Sequence, residues 1–319
     1  MLFRSVAALG HDLLTRHHGE RWHGLDVLAA DSIFPALTCP VQATMRTASL
    51  PQDHGMLFNG VYAARLRRPM FWEQASSLVH GKRVWEGARE KGKRVGMLFW
   101  QQSLGEDVDV LLSPWPVHKH GHGIVDVTHS VPEGLYADLC RAIGDRFHLR
   151  HYWGPLTNLA GSRWIAQATC EVMRADAPPD ILFSYLPHLD YDLQRYPPDH
   201  RRNAQALDDT LALAADVVDT AREQGYDVVV YGDYAIGAVS HVCYPNRILR
   251  EHDLLSVRRV DRQEHVNLHQ SRAFAVVDHE VAHVYLRDAA DEDAVAAVFA
   301  GHEAELEVVR RQDRKRIGI

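Results

Sequence analysis

The sequence of 319 residues contains only four cysteines, and they lie far apart at Cys39, Cys140, Cys170 and Cys243. No C-x-x-C pair occurs among them, which excludes a zinc knuckle. A small secreted domain would need a denser set for a disulfide framework, whereas scattered thiols are typical of proteins from a reducing compartment. We therefore expect a cytoplasmic protein.

Long hydrophobic runs and an excess of positive charge are absent as well. No segment approaches the run of about 20 apolar residues that a membrane-spanning helix requires. The apolar start of the chain, MLFRSVAALGHDLL, soon meets polar residues and is too short for a signal peptide. The net charge of −7 disfavours a nucleic-acid groove, which needs a basic face. These absences predict no membrane or nucleic-acid partner, and they leave the oligomeric state open.

The chain also lacks internal repeats and any linker rich in glycine, serine or proline. Apolar runs alternate with segments of helical periodicity, most clearly at 134–147, 162–175, 181–186, 202–225 and 226–234. This alternation predicts an α/β fold with a mostly parallel central sheet sandwiched by helices. We expect one domain, 1–319, with an elaborated insertion at about 60–133. Further strands are predicted at 2–9, 93–100, 254–260, 272–277 and 281–286, and an alanine-rich helix at 288–306.

Two of the predicted strands run directly into aspartate, at SYLPHLD ending in Asp190 and at VVVYGD ending in Asp233. Ligands of open α/β sheets bind outside the carboxyl ends of the strands, so these carboxylates should converge on one crevice. The alternative is a solvated loop that only caps the next helix.

A hydroxyl group is predicted at a helix N-terminus near the same crevice. Thr38 precedes Pro40 and a helix-compatible run, so it is placed to cap the helix. Free backbone N–H groups make such a position an anion site, although Thr38 could also serve as a cap alone. Together with the two aspartates, this hydroxyl suggests phosphoryl transfer on metal ions.

The histidine content is high, at 21 residues, and one tract reads HKHGHG at 118–123. Histidine-rich tracts can contact metal or phosphate, and the glycines would also allow a lid. The alternative is a surface loop without a specific role.

Four segments resemble the nucleotide pyrophosphatase/phosphodiesterase branch of the alkaline phosphatase superfamily. They are ALTCPVQATMRTASLPQDHGMLFNG, YLPHLDYDLQRYPPD, VVVYGDYAIG and VVDHEVAHVYL, and the resemblance extends over about residues 25–290. It implies an α/β/α sandwich with two metal ions, usually zinc, at the strand ends. It also implies that a threonine attacks phosphorus and that water then releases the phosphothreonine.

The resemblance assigns roles to individual residues. Thr38 matches the nucleophile, and Asn59 matches the amide that holds a non-bridging phosphoryl oxygen. The matching metal ligands are Asp190 of an Asp-x-x-x-His motif, Asp233 of an Asp-His pair and the late histidine His279, with His283 as the competing choice.

Three of the six expected metal ligands are replaced. Gln194 stands where the Asp-x-x-x-His motif has histidine, and Tyr234 follows Asp233 where the pair has histidine. The first strand, FRSVAALG, offers only Ser5 instead of an aspartate. Glutamine is a poor zinc ligand, and tyrosine, with a pKa of about 10, is neutral near pH 7. One ion on Asp190, His279 and a Gln194 oxygen would suit Mg²⁺ or Mn²⁺ better than Zn²⁺.

The sequence therefore predicts a hydrolase of phosphoric ester or anhydride bonds, of the metal-dependent phosphodiesterase type, that acts on a small phosphorylated metabolite. If the second ion is lost, Asp233 is the predicted general base for Thr38, and Tyr234 would hydrogen-bond a developing charge. The alternative is a non-catalytic ligand-binding pseudoenzyme whose metal sites have degraded.

Overall fold

The computed structural model describes residues 1–120, 123–302 and 306–319. Residues 121 and 122 of the histidine tract lie outside these ranges, so its role stays a sequence prediction. The strands are β1 (Leu2–Val6), β2 (Arg21–Trp22), β3 (Leu25–Asp26), β4 (Gly60–Ala63), β5 (Arg68–Phe71), β6 (Val95–Leu98), β7 (Val110–Pro114), β8 (Val117–His118), β9 (Ile124–Val125), β10 (Thr128–Val131), β11 (Ile181–Leu186), β12 (Val228–Gly232), β13 (Val257–Val260), β14 (Gln263–Val266), β15 (Ala273–Asp278) and β16 (Val281–Leu286). The α-helices are α1 (His11–His18), α2 (Thr38–Thr47), α3 (Pro51–His54), α4 (Glu86–Arg89), α5 (Leu135–Ile143), α6 (Leu159–Arg174), α7 (His188–Arg195), α8 (Arg201–Glu223), α9 (Pro245–Glu251) and α10 (Glu292–Ala297), with short 3₁₀ helices at Ser76–Leu78, Leu149–His151, Ala289–Asp291 and Arg311–Ile317.

A six-stranded sheet with the order β10-β7-β6-β11-β1-β12 forms the centre of the fold. Every neighbouring pair in it is parallel except β10 with β7. The central strand β11 is covered on both faces, which is why its sequence, ILFSYL, is continuously apolar instead of alternating. The predicted mostly parallel α/β fold is thereby confirmed.

Helices cover both faces of this sheet. On one face α6 and α8 pack together over a core that includes Leu2, Leu182 and Leu211. On the other face a second core includes Trp85 and Phe183, and α2 lies against this side through Met45. The carboxyl ends of β1, β11 and β12 therefore open between two packed layers, where ligands of such folds bind.

The segments after β12 depart from the predicted alternation. β13 pairs only with β14, and β15 pairs with β16, so these strands form antiparallel hairpins outside the central sheet. The predicted helix at 288–306 is reduced to α10 and a short 3₁₀ turn within the described residues. A short apolar strand does not specify its partner, which is why the periodicity could not distinguish a hairpin from a sheet strand.

Residues 60–133 contain the hairpin β4–β5 and also β6, β7 and β10 of the central sheet. That this range is an insertion into a single domain stays a prediction. In the part of the chain that the structure describes, no helix combines the length and hydrophobicity needed to cross a bilayer.

Candidate active site

Thr38 is the first residue of α2, and Leu37, not Thr38, takes the N-cap position. The Thr38 side chain is buried and does not cap the helix; its hydroxyl lies 3.4 Å from the Tyr234 hydroxyl. The Cys39 N–H donates to the Asn59 side-chain oxygen at 3.0 Å, and Pro40 has no N–H. The first turn of α2 therefore offers fewer free N–H groups to an anion than the sequence predicts.

Asn59 is fixed between α2 and the hairpin β15–β16. While its side-chain oxygen accepts from Cys39, its backbone N–H donates to Asp278 Oδ2 at 2.6 Å. Its Nδ2 is 3.4 Å from Asp278 Oδ1, which leaves a second N–H on that nitrogen for another acceptor. Sequence reasoning missed Asp278, although its place at the end of β15 was a signal of the same kind as Asp190 and Asp233.

Asp190 lies in the first turn of α7, which starts directly after β11. Gln194 follows one turn later on the same helix face, and its Nε2 lies 2.8 Å and 2.7 Å from the two Asp190 oxygens. The same Nε2 is 3.2 Å from His279 Nε2. The Tyr234 hydroxyl donates to Asp190 Oδ1 at 2.9 Å, so both oxygens of this buried carboxylate accept hydrogen bonds.

His279 occupies the turn between β15 and β16 with a φ of 56°, in the left-handed region that non-glycine residues seldom adopt. Its Nδ1 is bonded to Asp278 Oδ1 at 2.7 Å. His283 is directed elsewhere: its Nε2 lies 2.8 Å from the Leu57 carbonyl oxygen, and its ring packs 5.5 Å from that of Phe58. The structure thus places His279, and not His283, against Asp190.

These contacts close into one ring of hydrogen bonds that begins and ends at the start of α2. Each member touches the next through a side chain or a backbone N–H. The ring runs Thr38, Tyr234, Asp190, Gln194, His279, Asp278, Asn59 and Cys39.

Asp233 lies deeper, beyond the end of β12. Its Oδ1 accepts from the backbone N–H groups of Ala8 at 2.9 Å and Tyr234 at 3.1 Å, while its Oδ2 is buried without a hydrogen-bond partner. Burial raises the pKa of Asp233 to about 8, and the negative charge of Asp190 adds to the shift. The group is therefore mostly protonated at neutral pH. Thr38 is connected through Tyr234 to Asp190, and the described contacts of Asp233 do not include Thr38.

Several other ionisable groups of the ring are shifted. Burial raises the pKa of Asp190, while the donors Gln194 and Tyr234 act against that shift. Burial also raises the pKa of Tyr234 well above its ordinary value, with the charge of Asp190 acting in the same direction. The hydrogen bond to Asp278 raises the pKa of His279. Burial raises the pKa of Cys39 to about 12, so this thiol does not compete with Thr38 as a nucleophile.

The residues do not fit the metal ions that the resemblance implies. Within residues 1–120, 123–302 and 306–319, no group of three or more His, Cys, Asp or Glu side chains is arranged to hold a metal ion. At the first position an amide nitrogen, that of Gln194, lies between Asp190 and His279 where a cation would lie. At the second position Ala8 contributes only a backbone N–H to Asp233. The single-ion site predicted on Asp190, His279 and Gln194 does not fit either, because the amide presents donors to the carboxylate.

A cavity of about 970 Å³ is lined by none of the residues of this ring, but Trp72 on its wall contacts Asn59 through the backbone. Trp72, whose N–H donates to the Asn59 carbonyl at 2.9 Å, forms one wall, and Trp153 lies across from it with ring centroids 6.5 Å apart. Arg146 and Arg150 lie on the same lining. The lining therefore combines aromatic faces with side chains of both charges, because Glu73 and Asp126 also belong to it.

Comparisons with known proteins agree with this architecture. The family model for type I phosphodiesterase / nucleotide pyrophosphatase matches residues 16–317. Phosphonoacetate hydrolase from Sinorhizobium meliloti 1021, in complex with phosphonoformate, is similar with a TM-score of 0.62 and 16% identity, over 99% of this chain and 76% of that one. Murine ectonucleotide pyrophosphatase/phosphodiesterase 5 is similar with a TM-score of 0.63 and 14% identity, over 100% and 75%. Its inactive threonine-to-alanine variant in complex with AMP gives the same values, a TM-score of 0.63 and 14% identity. No curated protein matches the chain by sequence.

Proposed function

The chain belongs to the type I phosphodiesterase / nucleotide pyrophosphatase family of the alkaline phosphatase superfamily, and on that premise we propose that it hydrolyses a phosphoester bond of a small phosphorylated metabolite. Thr38 is the proposed nucleophile. One observation carries the proposal: the buried Thr38 hydroxyl, at the start of α2, is linked through Tyr234 to the raised-pKa carboxylate of Asp190.

The link supports a proton path for the attack. As the Thr38 oxygen bonds to phosphorus, its proton passes to the Tyr234 oxygen, and the Tyr234 proton passes to Asp190 Oδ1. The high pKa of Tyr234 favours moving both protons together, because a free phenolate there would be costly. The contact between the two hydroxyls is long at 3.4 Å, and such contacts often tighten only when substrate binds.

The remaining steps follow from the same groups. The bond from phosphorus to the leaving oxygen breaks as that oxygen takes a proton from a water molecule. The resulting hydroxide attacks the phosphothreonine, the bond from phosphorus to the Thr38 oxygen breaks, and that oxygen regains its proton from Asp190 through Tyr234. The spare amide N–H of Asn59 and the backbone N–H of Thr38 are the proposed donors to a phosphoryl oxygen.

The cavity lined by Trp72, whose backbone N–H donates to the Asn59 carbonyl, supports a substrate with an organic group on phosphorus. Aromatic walls from Trp72 and Trp153 suit a planar group, and Arg146 suits an additional anionic group. In keeping with this chemistry, one similar structure holds AMP and another holds phosphonoformate. We also propose a cytoplasmic location, which the small number and wide spacing of the cysteines support.

The test is hydrolysis of an aryl phosphodiester and an aryl phosphomonoester by the purified protein, with chelator and with added Zn²⁺, Mn²⁺ or Mg²⁺. We expect turnover above background that Thr38→Ala abolishes and Thr38→Ser partly retains, because serine keeps the hydroxyl. A far-ultraviolet circular dichroism spectrum controls for folding of both variants. Turnover that is equal in the wild type and Thr38→Ala would refute the nucleophile.

A second function, ligand binding without turnover, is favoured by a specific observation. Gln194 and Tyr234 donate hydrogen bonds to Asp190 at positions where the family resemblance expects metal-binding histidines. Calorimetric titration with a nucleoside monophosphate distinguishes the two functions. Saturable binding with no product under any condition would support this alternative over catalysis.

A further inference from the structure

We propose that Gln194 and Tyr234 take the place of divalent cations, so that this site is assembled by proton donors and needs no bound metal. The inference rests on the proposed active site but not on turnover. Its first support is the position of Gln194 Nε2, which is almost equidistant from the two Asp190 oxygens at 2.8 Å and 2.7 Å. A cation shared by both carboxylate oxygens would lie in the same place.

The polarity of the surrounding groups fits an amide N–H at this point. His279 Nδ1 is bonded to the Asp278 carboxylate at 2.7 Å, so in the neutral ring Nδ1 carries the proton, and the lone pair of Nε2 then points toward Gln194 at 3.2 Å. With the Gln194 amide reversed, its oxygen would lie against both Asp190 oxygens, which is repulsive. The orientation with nitrogen inward therefore satisfies all three neighbours.

The second cation position is compensated in part. The Tyr234 hydroxyl lies between Thr38 and Asp190, and it donates to Asp190 at 2.9 Å. The Tyr234 and Ala8 backbone N–H groups both donate to Asp233 Oδ1, while Asp233 Oδ2 has no partner. Hydrogen-bond donors thus face three of the four carboxylate oxygens of Asp190 and Asp233.

The first test measures metal content and stability, not activity. The purified protein is dialysed, analysed by inductively coupled plasma mass spectrometry, and melted with EDTA and with added zinc. We expect fewer than about 0.1 metal equivalents per chain and a Tm that chelator and zinc change by less than about 1 °C, since a structural ion would contribute folding energy. Near-stoichiometric metal after dialysis, or a large fall in Tm with EDTA, would overturn the proposal.

The second test restores imidazoles at the two positions with the double substitution Gln194→His plus Tyr234→His. If Gln194 and Tyr234 stand at ligand positions and only their donor atoms lie where cations would, the two imidazoles should restore zinc binding. We expect a Kd below about 1 µM for the variant, no binding by the wild type up to about 100 µM, and a Tm of the variant that rises with zinc. Gln194 is exposed on α7, so the single substitution Gln194→His keeps the test informative if the double variant misfolds.

A matched control places histidine beside an aspartate elsewhere. Gln205 is exposed on α8, and its Nε2 donates to Asp209 Oδ1 at 3.1 Å with the same four-residue spacing. Gln205→His should bind zinc more weakly than Gln194→His, because Gln205 Nε2 contacts Asp209, whereas Gln194 Nε2 contacts both Asp190 and His279. A folded Gln194→His protein that binds zinc no better than Gln205→His would refute the placement of Gln194 at a cation position.

Discussion

Replacing Tyr234 by phenylalanine tests the link between nucleophile and carboxylate most directly. The change removes one oxygen, which contacts Asp190 Oδ1 at 2.9 Å and Thr38 Oγ1 at 3.4 Å. The ring itself stays, so packing at the end of β12 is preserved. Gln194 remains as a donor to Asp190, so the carboxylate loses one hydrogen bond but is not left unpaired.

The expected magnitudes follow from those two contacts. The lost hydrogen bond to a buried carboxylate should lower the free energy of unfolding by about 1.5 to 3 kcal/mol. Loss of the proton path should lower kcat by about 10² to 10⁴, the usual contribution of a general base. KM should change little, because the hydroxyl contacts the nucleophile and not the cavity beside Trp72.

The assay pairs denaturant unfolding with aryl phosphodiester turnover, and Tyr191→Phe is the control. Tyr191 neighbours Asp190 on α7, and its hydroxyl donates to the Tyr152 carbonyl at 2.7 Å. This variant should lose similar stability but keep kcat. Equal losses of kcat in Tyr234→Phe and Tyr191→Phe, or no loss in either, would refute the relay through Tyr234.

Three further predictions concern stability. Glu106→Gln removes the carboxylate that lies 3.2 Å from the fully buried guanidinium group of Arg46. The free energy of unfolding, measured by denaturation with guanidinium chloride, should fall by about 3 to 5 kcal/mol, and a fall below about 1 kcal/mol would contradict this. Burial lowers the pKa of His54 to about 4, below its unfolded value of 6.5, so its contribution is complete above pH 6.5 and declines by up to about 3 kcal/mol as the pH falls through 4. Unfolding curves at several pH values should show this slope, His54→Gln should flatten it, and an unchanged slope in that variant would contradict the assignment. Gly232→Ala would place a Cβ 1.9 Å from the Leu9 carbonyl oxygen and should lower Tm by several degrees, whereas an unchanged melting curve would show that the strand end can shift.

The central elements could be predicted because local pattern and tertiary environment agree there. The strand expected at 181–186 coincides with β11, since a strand buried on both faces is apolar at most positions, here at all but Ser184. The helix expected at 202–225 ends in the structure at Glu223, two residues before Gly225 with its φ of 74°. The sequence did not distinguish the strands of hairpin β15–β16 from strands of the central sheet, because the periodicity of a strand does not specify which strand it pairs with.

From the sequence, the site could be predicted only for residues that follow strands of the central sheet. Asp190 and Asp233 follow β11 and β12, and parallel strands bring their carboxyl ends together. Asp278 also follows a predicted strand, but that strand lies in a hairpin outside the central sheet, so the convergence of parallel strands did not point to a residue bonded to Asn59 219 positions away. The N-cap prediction for Thr38 was wrong because Leu37 adopts the extended cap conformation, which releases the Thr38 hydroxyl toward Tyr234.

The three replaced ligand positions are physically related. A carboxylate that loses its cation needs either a proton of its own or hydrogen-bond donors, because a bare buried charge is costly. Gln194 and Tyr234 supply donors to Asp190, and at the end of β1 Ala8 supplies a backbone N–H to Asp233. The one oxygen of these two carboxyl groups left without a donor is Asp233 Oδ2. Both oxygens of Asp190 are thus paired, whereas Asp233 Oδ2 and the Ser5 hydroxyl are buried without a partner. The substitutions at Gln194 and Tyr234 therefore describe a rebuilt hydrogen-bonded environment for Asp190, in which hydrogen-bond donors replace a cation.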